Sequence, residues 1–431
     1  MAVILRSNTD LVYLPDHGFV GEEGALRILP QITRHIHRLD ISHNLLGSSG
    51  TLTLFKGLST LRLRHSSPEL GLGMWGLKEV NLGNNSLDDI AFDGVLAYAK
   101  KDVWLKRVLA HGNEITLDEK KVDSIVNSLN GSHITSLSLV NNTSISPKGL
   151  VRLMGLLDST ELKQLLLSAC NLSSEDGLIE AIVDYLASSR SRNLESLELN
   201  GNHLGGSGVT KIVDCIESSN WTITTLGLLA NHSLSDRLVP IDDVDPDHNH
   251  DPIGDRDHNH NHPGFGPDSD YRLLRAEESR TMDYQIHRRL PEILNRNRIL
   301  TKRIRLAALK TLVPARIVLN AIPLTDEQTA RRVIDDISQD VSYNMAGFRL
   351  LELPEEVIQL IVRHTSDDPW AFSESQWTRL RKEVSNRDNL RKSSELVNSR
   401  LRGKLPDERR ETMRELKNDW LRKGRWDKWE R

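Results

Sequence analysis

Three stretches of the 431-residue chain carry side chains whose types and spacing chemistry uses. Asp243-x-Asp245-x-Asp247 matches the opening of a calcium loop, where alternate carboxylates converge on one hard cation. His248, His250, His258, His260 and His262 stand among Asp and Asn, in pairs that take Zn²⁺ or Ni²⁺ weakly. Gly71-Leu72-Gly73-Met74-Trp75-Gly76 fits the G-x-G-x-x-G turn that cradles a pyrophosphate. Context defeats each of them. The sixth calcium position is His248 instead of Gly, and the twelfth is Gly254 instead of the closing Glu. The histidines lack a rigid frame. The glycine run precedes a strand-like Leu77–Leu82, whereas a dinucleotide turn opens a helix. G-x-x-x-x-G-K-[ST], H-E-x-x-H and G-x-S-x-G are absent. The expectation is no cofactor, no resident metal and no enzymatic activity.

Any other chemistry must rest on surfaces, so the elements that build them come next. With 38% hydrophobic and 27% charged residues the chain can bury a large core. It has no apolar run of 18 residues, and the run after Met1 is too short for a signal peptide. Two cysteines, Cys170 and Cys215, make neither a disulfide framework nor a zinc site, which points to a cytoplasmic or nuclear setting. Residues 1–240 hold 21 Lys+Arg against 26 Asp+Glu, a net of −5. Residues 241–270 hold one against nine, a net of −8, and residues 271–431 hold 34 against 25, a net of +9. A mildly acidic body, an acidic spacer and a basic tail are three different materials.

The body repeats. A frame L-x-x-L-x-L-x-x-N-x-L recurs as Ile36, Leu39, Ile41, Asn44, Leu46 and as Leu77, Val80, Leu82, Asn85, Leu87. Further copies centre on Val108, Leu137, Leu165, Leu197 and Leu226, with Asn113, Asn142, Cys170, Asn202 and Asn231 in the Asn slot. A degenerate copy reads Leu58, Leu61, Leu63. From Val80 the steps are 28, 29, 28, 32 and 29 residues. The L-x-L alternation is a short strand with one face inward, and the Asn can pair backbone groups that would otherwise be buried alone. Between strands the period becomes 3.6, as in Val122, Ile125, Val126, Leu129 or Val209, Ile212, Val213, Ile216. Each unit is strand, turn and amphipathic helix, unable to close a core alone.

These residues resemble the ribonuclease-inhibitor-like class of leucine-rich repeat over about 18–235. Leu46-Gly47-Ser48-Ser49-Gly50, Leu204-Gly205-Gly206-Ser207-Gly208 and the Cys in an Asn slot all match it. The resemblance implies an α/β solenoid, parallel strands inside and helices outside, followed by a helical C-terminal region. It implies protein binding more than catalysis. Gly21–Leu26 looks like the helix start of an N-terminal cap. The expected organisation is a capped solenoid over 1–239, a disordered Asp/His/Pro-rich insertion over 240–270 and a helical closing repeat or cap over 271–320. A helical region over 321–380 and a basic helical tail over 381–431 complete it. The parallel between Pro291–Ile304 and the helix-to-strand passage before Leu137 suggests that the repeat resumes behind the insertion.

Leu353-Pro354-Glu355-Glu356-Val357-Ile358-Gln359-Leu360-Ile361-Val362 resembles the opening of an F-box, and Trp377 lies about where its tryptophan would. The resemblance implies adaptor docking through Leu353, Pro354, Val357 and Ile361. The stretch from His364 to Ser375 departs from it, lacking the apolar helix expected there. The tail interleaves Trp420, Trp426 and Trp429 with cations, as single-strand binders do, but acids are interspersed. It reads as a helix docking protein and not as a nucleic-acid binder.

The predicted partner site is the concave sheet face. There the frame places Arg38, Arg62, Arg64 and Arg107 in neighbouring strands, and Leu109, Val140, Leu166 and Leu229 as an apolar stripe. The arginines would recognise an acidic partner, with the acidic spacer competing for them. The stripe would be the desolvated contact, unless the tail folds back over it. The leading expectation is a protein-interaction scaffold without membrane contact. A ubiquitin-ligase substrate receptor comes second, and third a GTPase-activating protein like the one for the Ran GTPase, which shares this repeat.

Overall fold

A computed structural model describes residues 10–66, 75–232, 277, 279–320, 354–384 and 386–430. The chain forms two compact units, Met1–Leu294 and Asn295–Arg431. In the first, eight parallel strands lie side by side in chain order. They are β1 (Leu11–Tyr13), β2 (Arg38–Asp40), β3 (Glu79–Asn81), β4 (Arg107–Leu109), β5 (Ser136–Ser138), β6 (Gln164–Leu166), β7 (Ser196–Glu198) and β8 (Thr225–Gly227). Val12, Leu39, Val80, Val108, Leu137, Leu165, Leu197 and Leu226 are register partners in succession. All eight are buried, so the residues flanking them face the other way.

A helix follows each of the first seven strands: α1 (Gly21–Ile28), α2 (Gly47–His65), α3 (Asp89–Ala99), α4 (Val122–Asn130), α5 (Pro147–Leu156), α6 (Leu178–Ala187) and α7 (Gly205–Ser219). Each packs on the next in chain order. Val122, Ile125, Val126 and Leu129, or Val209, Ile212, Val213 and Ile216, form the stripe that each helix buries. Ser146 caps α5, accepting from the Gly149 amide at 3.3 Å with Pro147 at the first helical position. Asp88 caps α3 in the same way through the Ala91 amide, at 2.9 Å. Strands spaced by roughly 5 Å cannot match helices about 10 Å across, so the sheet takes the inside of the curve.

Behind the strands runs a ladder of side-chain amides. Asn113 Oδ1 accepts from the amides of Asn85 and Leu87 at 2.9 and 3.1 Å. Its Nδ2 donates to the carbonyls of Leu82 and His111, both at 3.1 Å. Asn142 serves Asn113 and Ile115 in turn, and Asn202 serves Cys170 and Leu172. After β6 the Cys170 thiol donates to Leu139 O at 3.1 Å, so a thiol keeps the donor half of the amide's work. Burial pushes that thiol up to about 11, against the opposing pull of the Asn142 and Asn141 amides. Two rungs are looser: Oδ1 of Asn85 and of Asn231 has no partner among the described residues. There the preceding turn passes straight into a helix through Gly47 (φ +56) and Gly205 (φ +68), whose amides bond to the backbone carbonyls of Asn85 and Asn231.

Three expectations change. The copy at Leu58, Leu61 and Leu63 is no strand: α2 continues to His65 because Leu54, Phe55 and Leu58 keep helical spacing and no turn residue intervenes. A strand stands earlier than the resemblance reached, at Leu11–Tyr13, hidden because His17 fills its Asn slot. Ile299–Ile304 begins no further repeat, since it lies inside α8 (Leu290–Asn320). Of the glycine run, Gly71–Met74 fall outside the described residues, as do the Asp/His-rich 241–270. Trp75 is buried with its indole N–H on Ile36 O at 3.1 Å, so this end of the motif packs the core.

The second unit is helical: the remainder of α8, then α9 (Glu355–His364), α10 (Glu374–Val384), α11 (Arg387–Leu401) and α12 (Pro406–Lys423). Ile304, Ala308, Val362, Phe372, Trp377, Leu380 and Trp426 fill its core. The Arg303 guanidinium grips Asp368 with two bonds, 2.6 and 2.9 Å, and holds that carboxyl below the usual range. Replacing Asn113 by Ala leaves the amides of Asn85 and Leu87 without an acceptor, while Leu82 O and His111 O each lose one of two donors. Urea unfolding should show a loss of about 3 kcal/mol, against under about 0.5 for the exposed Asn127→Ala. Equal losses would show that the ladder carries no special weight.

Candidate functional site: the concave sheet face

Register aligns the outward side chains in rows. One runs Arg38, Glu79, Arg107, Ser136, Gln164, Ser196, Thr225, and the next runs Tyr13, Asp40, Asn81, Leu109, Ser138, Leu166, Glu198, Gly227. The third follows the ladder bonds through Ser42, Gly83, His111, Val140, Ser168, Asn200 and Leu229. The middle is apolar. Leu109 and Leu166 are the register partners of Ser138 on either side; Ser138 is 5% exposed, while Leu109, Leu166 and Val140 are half-buried. The result is a shallow dish with a serine at its base. Leu229, 51% exposed, stands apart on the last strand.

The flanks are polar, and several of their side chains are paired with one another. Arg107 pairs with Glu79 at 3.0 Å, and Arg38 with Asp10 at 2.8 Å, which holds the Asp10 carboxyl below its usual range. Asp40 accepts from the Ser42 amide and hydroxyl at 3.1 and 2.7 Å. Asn200 donates to Glu198 at 2.9 Å and accepts from the Leu229 amide at 2.9 Å.

The predicted arginine patch is therefore not assembled. Arg62 and Arg64 sit on α2, outside the sheet, and Arg62 donates to Lys101 O with its guanidinium 5.8 Å from the Tyr98 ring. Arg38 and Arg107 already hold carboxylates. With them goes the ground for an acidic partner on this face and for competition by the spacer, itself outside the described residues. Of the predicted residues the sheet brings Leu109, Val140 and Leu166 together.

Sequence reasoning missed two features. Tyr13, 64% exposed, is the aromatic of the second row, and the alternation Leu11-Val12-Tyr13-Leu14 was the signal for it. Gly83 makes room for the His111 ring, into which any Cβ there would run. Burial, and after it the neighbouring His43, hold His111 below the ordinary histidine range, while Asp40 pulls the other way.

In the second unit, α9 follows Pro354, its N-cap residue, and leaves Val357 and Leu360 exposed, with Ile361 half-buried. Leu353 lies outside the described residues. Trp377 is a core residue, 6.2 Å from Phe372. The tail tryptophans are no stacking platform either: Trp426 is buried, and its indole N–H shares Glu383 with that of Trp420 at 3.1 and 2.5 Å.

Against known families, residues 190–213 match a family described as Leucine Rich repeat. That stretch carries β7 and the start of α7. None of the curated proteins matches the chain. The match and the sheet agree on a leucine-rich-repeat solenoid of α/β architecture, which supports a protein-interaction role in general. No described helix is long and apolar enough to cross a membrane.

The depressed His111 value has a pH signature. Unfolding returns the ring to about 6.5, so below that pH the unfolded chain binds more protons and stability falls. The contribution is complete above the ordinary histidine range and disappears as pH drops through the folded value. Urea midpoints between about pH 8 and 5 should decline less steeply for His111→Gln than for the native chain. Parallel declines would assign the slope to His65, which burial also depresses.

Proposed function

We propose that the chain is a non-enzymatic scaffold, working in the cytoplasm or nucleus, that holds a protein partner on the concave face. The dish of Leu109, Val140 and Leu166 around Ser138 carries this reading. It sets aliphatic side chains, already part desolvated, at the centre of a face whose charged groups Arg38, Arg107 and Glu79 are paired. An apolar centre with a polar surround is the pattern of a contact hot spot. Tyr13 and Leu229 extend the surface towards its two ends. Two unpaired, buried thiols agree with a reducing compartment.

The receptor reading draws on a separate observation, the exposed Val357 and Leu360 on α9. It would dock an adaptor through Pro354, Val357 and Ile361. The buried Trp377 offers it no support.

Affinity capture on the full chain separates these readings. The dish predicts a partner held by the native protein and by Leu63→Asp, an exposed change on α2, and released by Leu109→Asp/Leu166→Asp. The affinity lost should be at least about 30-fold, that of one strong hot spot. Unchanged capture by the double variant, with its thermal unfolding intact, would reject the dish. Recovery of an adaptor and cullin sensitive to Val357→Asp would favour the receptor reading instead. A small GTPase whose hydrolysis the chain accelerates would favour the activating-protein reading.

A further inference from the structure

The second unit holds a surface that the repeat does not account for. α8 and α12 border a groove of about 630 Å³. α8 contributes Lys302, Arg305, Leu306 and Leu309, one helical face at i, i+3, i+4 and i+7. α12 contributes successive turns from Arg409 to Leu421. The floor is aliphatic and sulfur-bearing: Leu421 is buried, Leu309 and Met413 are half-buried, and Leu306 is 51% exposed. The rim is cationic, with Lys302, Arg305, Arg409, Arg410, Arg414 and Lys417. No carboxylate lines it. Arg305 is steadied by Asn418 at 2.7 Å, and Arg410 reaches back only to Asp407, at 3.4 Å and fully in solvent.

Helix stability does not ask for this segregation. Within α12 the pairs Asp407/Glu411, Arg410/Arg414, Glu411/Glu415 and Glu415/Asp419 set like charges at i, i+4, with Asp419/Lys423 opposite. At i, i+3 Asp407/Arg410, Glu411/Arg414 and Asp419/Arg422 are opposite, and Glu408/Glu411 and Arg414/Lys417 like. Like pairs at i, i+4 destabilise a helix. The mixed pairing leaves the helix little to gain from this arrangement, and it gathers Arg409, Arg410, Arg414 and Lys417 on the groove side.

We propose that the groove docks an acidic amphipathic helix of a protein partner. The apolar stripe of that helix lies on Leu306, Leu309 and Met413, and its carboxylates meet the rim, where Arg forks can bind them bidentately. From Arg409 to Leu421 the groove follows α12 for roughly 18 Å, the length of about three turns of bound helix. A phosphodiester strand has the right charge but the wrong complement, since the groove offers no aromatic face for a base. Trp377 and Trp426 of the same unit are buried, and the exposed Trp370 does not line the groove. This site stands independently of the concave face.

The test is a fluorescence anisotropy titration of the full chain with three labelled probes. One is a 15-residue Leu/Glu peptide with Leu at helical spacing, the second the same residues shuffled to destroy the stripe, and the third a 15-nucleotide oligothymidylate. The striped peptide should bind at least about tenfold tighter than either other probe, since only it satisfies floor and rim together. Arg409→Glu/Arg414→Glu and, separately, Leu306→Ser should each weaken it about tenfold with helical circular dichroism unchanged. Leu306 is exposed enough that its variant keeps the fold, so the test survives a failure of the double variant. Equal binding of striped and shuffled peptides, tighter binding of the oligonucleotide, insensitivity to Leu306→Ser, or no binding of the striped peptide would each overturn the proposal.

Discussion

Three-residue strands leave the first unit with a problem that the amide ladder solves. After each strand the chain turns inside a stack of its own neighbours, where a peptide group cannot reach water and an unpaired one costs a few kcal/mol. Asn113 and Asn142 each hand the preceding turn an acceptor and take a carbonyl from it, so every turn is fixed by the next repeat. A helix alone or a strand alone would not be stable at these lengths. The stack is stable because burial of the Leu ladder and satisfaction of the turns come in the same step, repeat by repeat. Position in the fold follows from that: residues flanking the buried Leu can only face the hollow.

This explains which parts were legible in the sequence. Val80, Val108, Leu137, Leu165, Leu197 and Leu226 announce their strands because each is followed at a fixed distance by a ladder residue. Cys170 still reads as one, since a thiol can donate to Leu139 O. Where the slot is altered the signal fades. His17 hid β1, and Tyr13 with it. The reverse error came at Leu58–Leu63, where leucines at the right spacing belong to a helix whose buried residues began at Thr51 and Leu54. Local apolar spacing of three is shared by both periods, and only continuity with the preceding turn distinguishes them. That one misreading moved Arg62 and Arg64 from α2 into the hollow and created a cationic edge that the fold does not contain.

The remaining arginines illustrate a second limit. Sequence gives the sign of a charge on a face and not its partner across it. Arg107 and Glu79 are 28 residues apart and share a rung; Arg38 and Asp10 are equally remote and equally paired. Counting charges along the strands therefore overstated the field. What survives the pairing of charges includes the aliphatics Leu109, Val140 and Leu166, with the small Ser138 between the two leucines in register. A larger residue there would flatten the dish, so the site depends as much on what the sequence leaves out as on what it places.

The two units thus treat charge in opposite ways. On the sheet, cations meet carboxylates from adjacent strands, and exposed pairs of this kind contribute little to stability but cancel the field locally. On α12 one groove cation, Arg410, meets an acid of the same helix, Asp407, at 3.4 Å and in solvent, while the i, i+4 spacing mostly sets like against like. Each such like pair costs a few tenths of a kcal/mol, partly offset by opposite neighbours such as Asp407 and Arg410. The unit offsets this with dense aromatic packing instead: Phe372 stands edge-on to Trp426 at 6.2 Å, and Glu383 accepts from two indoles. A helix held by its buried side can keep an unbalanced outer face, and that unbalanced face is where an outside anion would find charge not already spent within the chain.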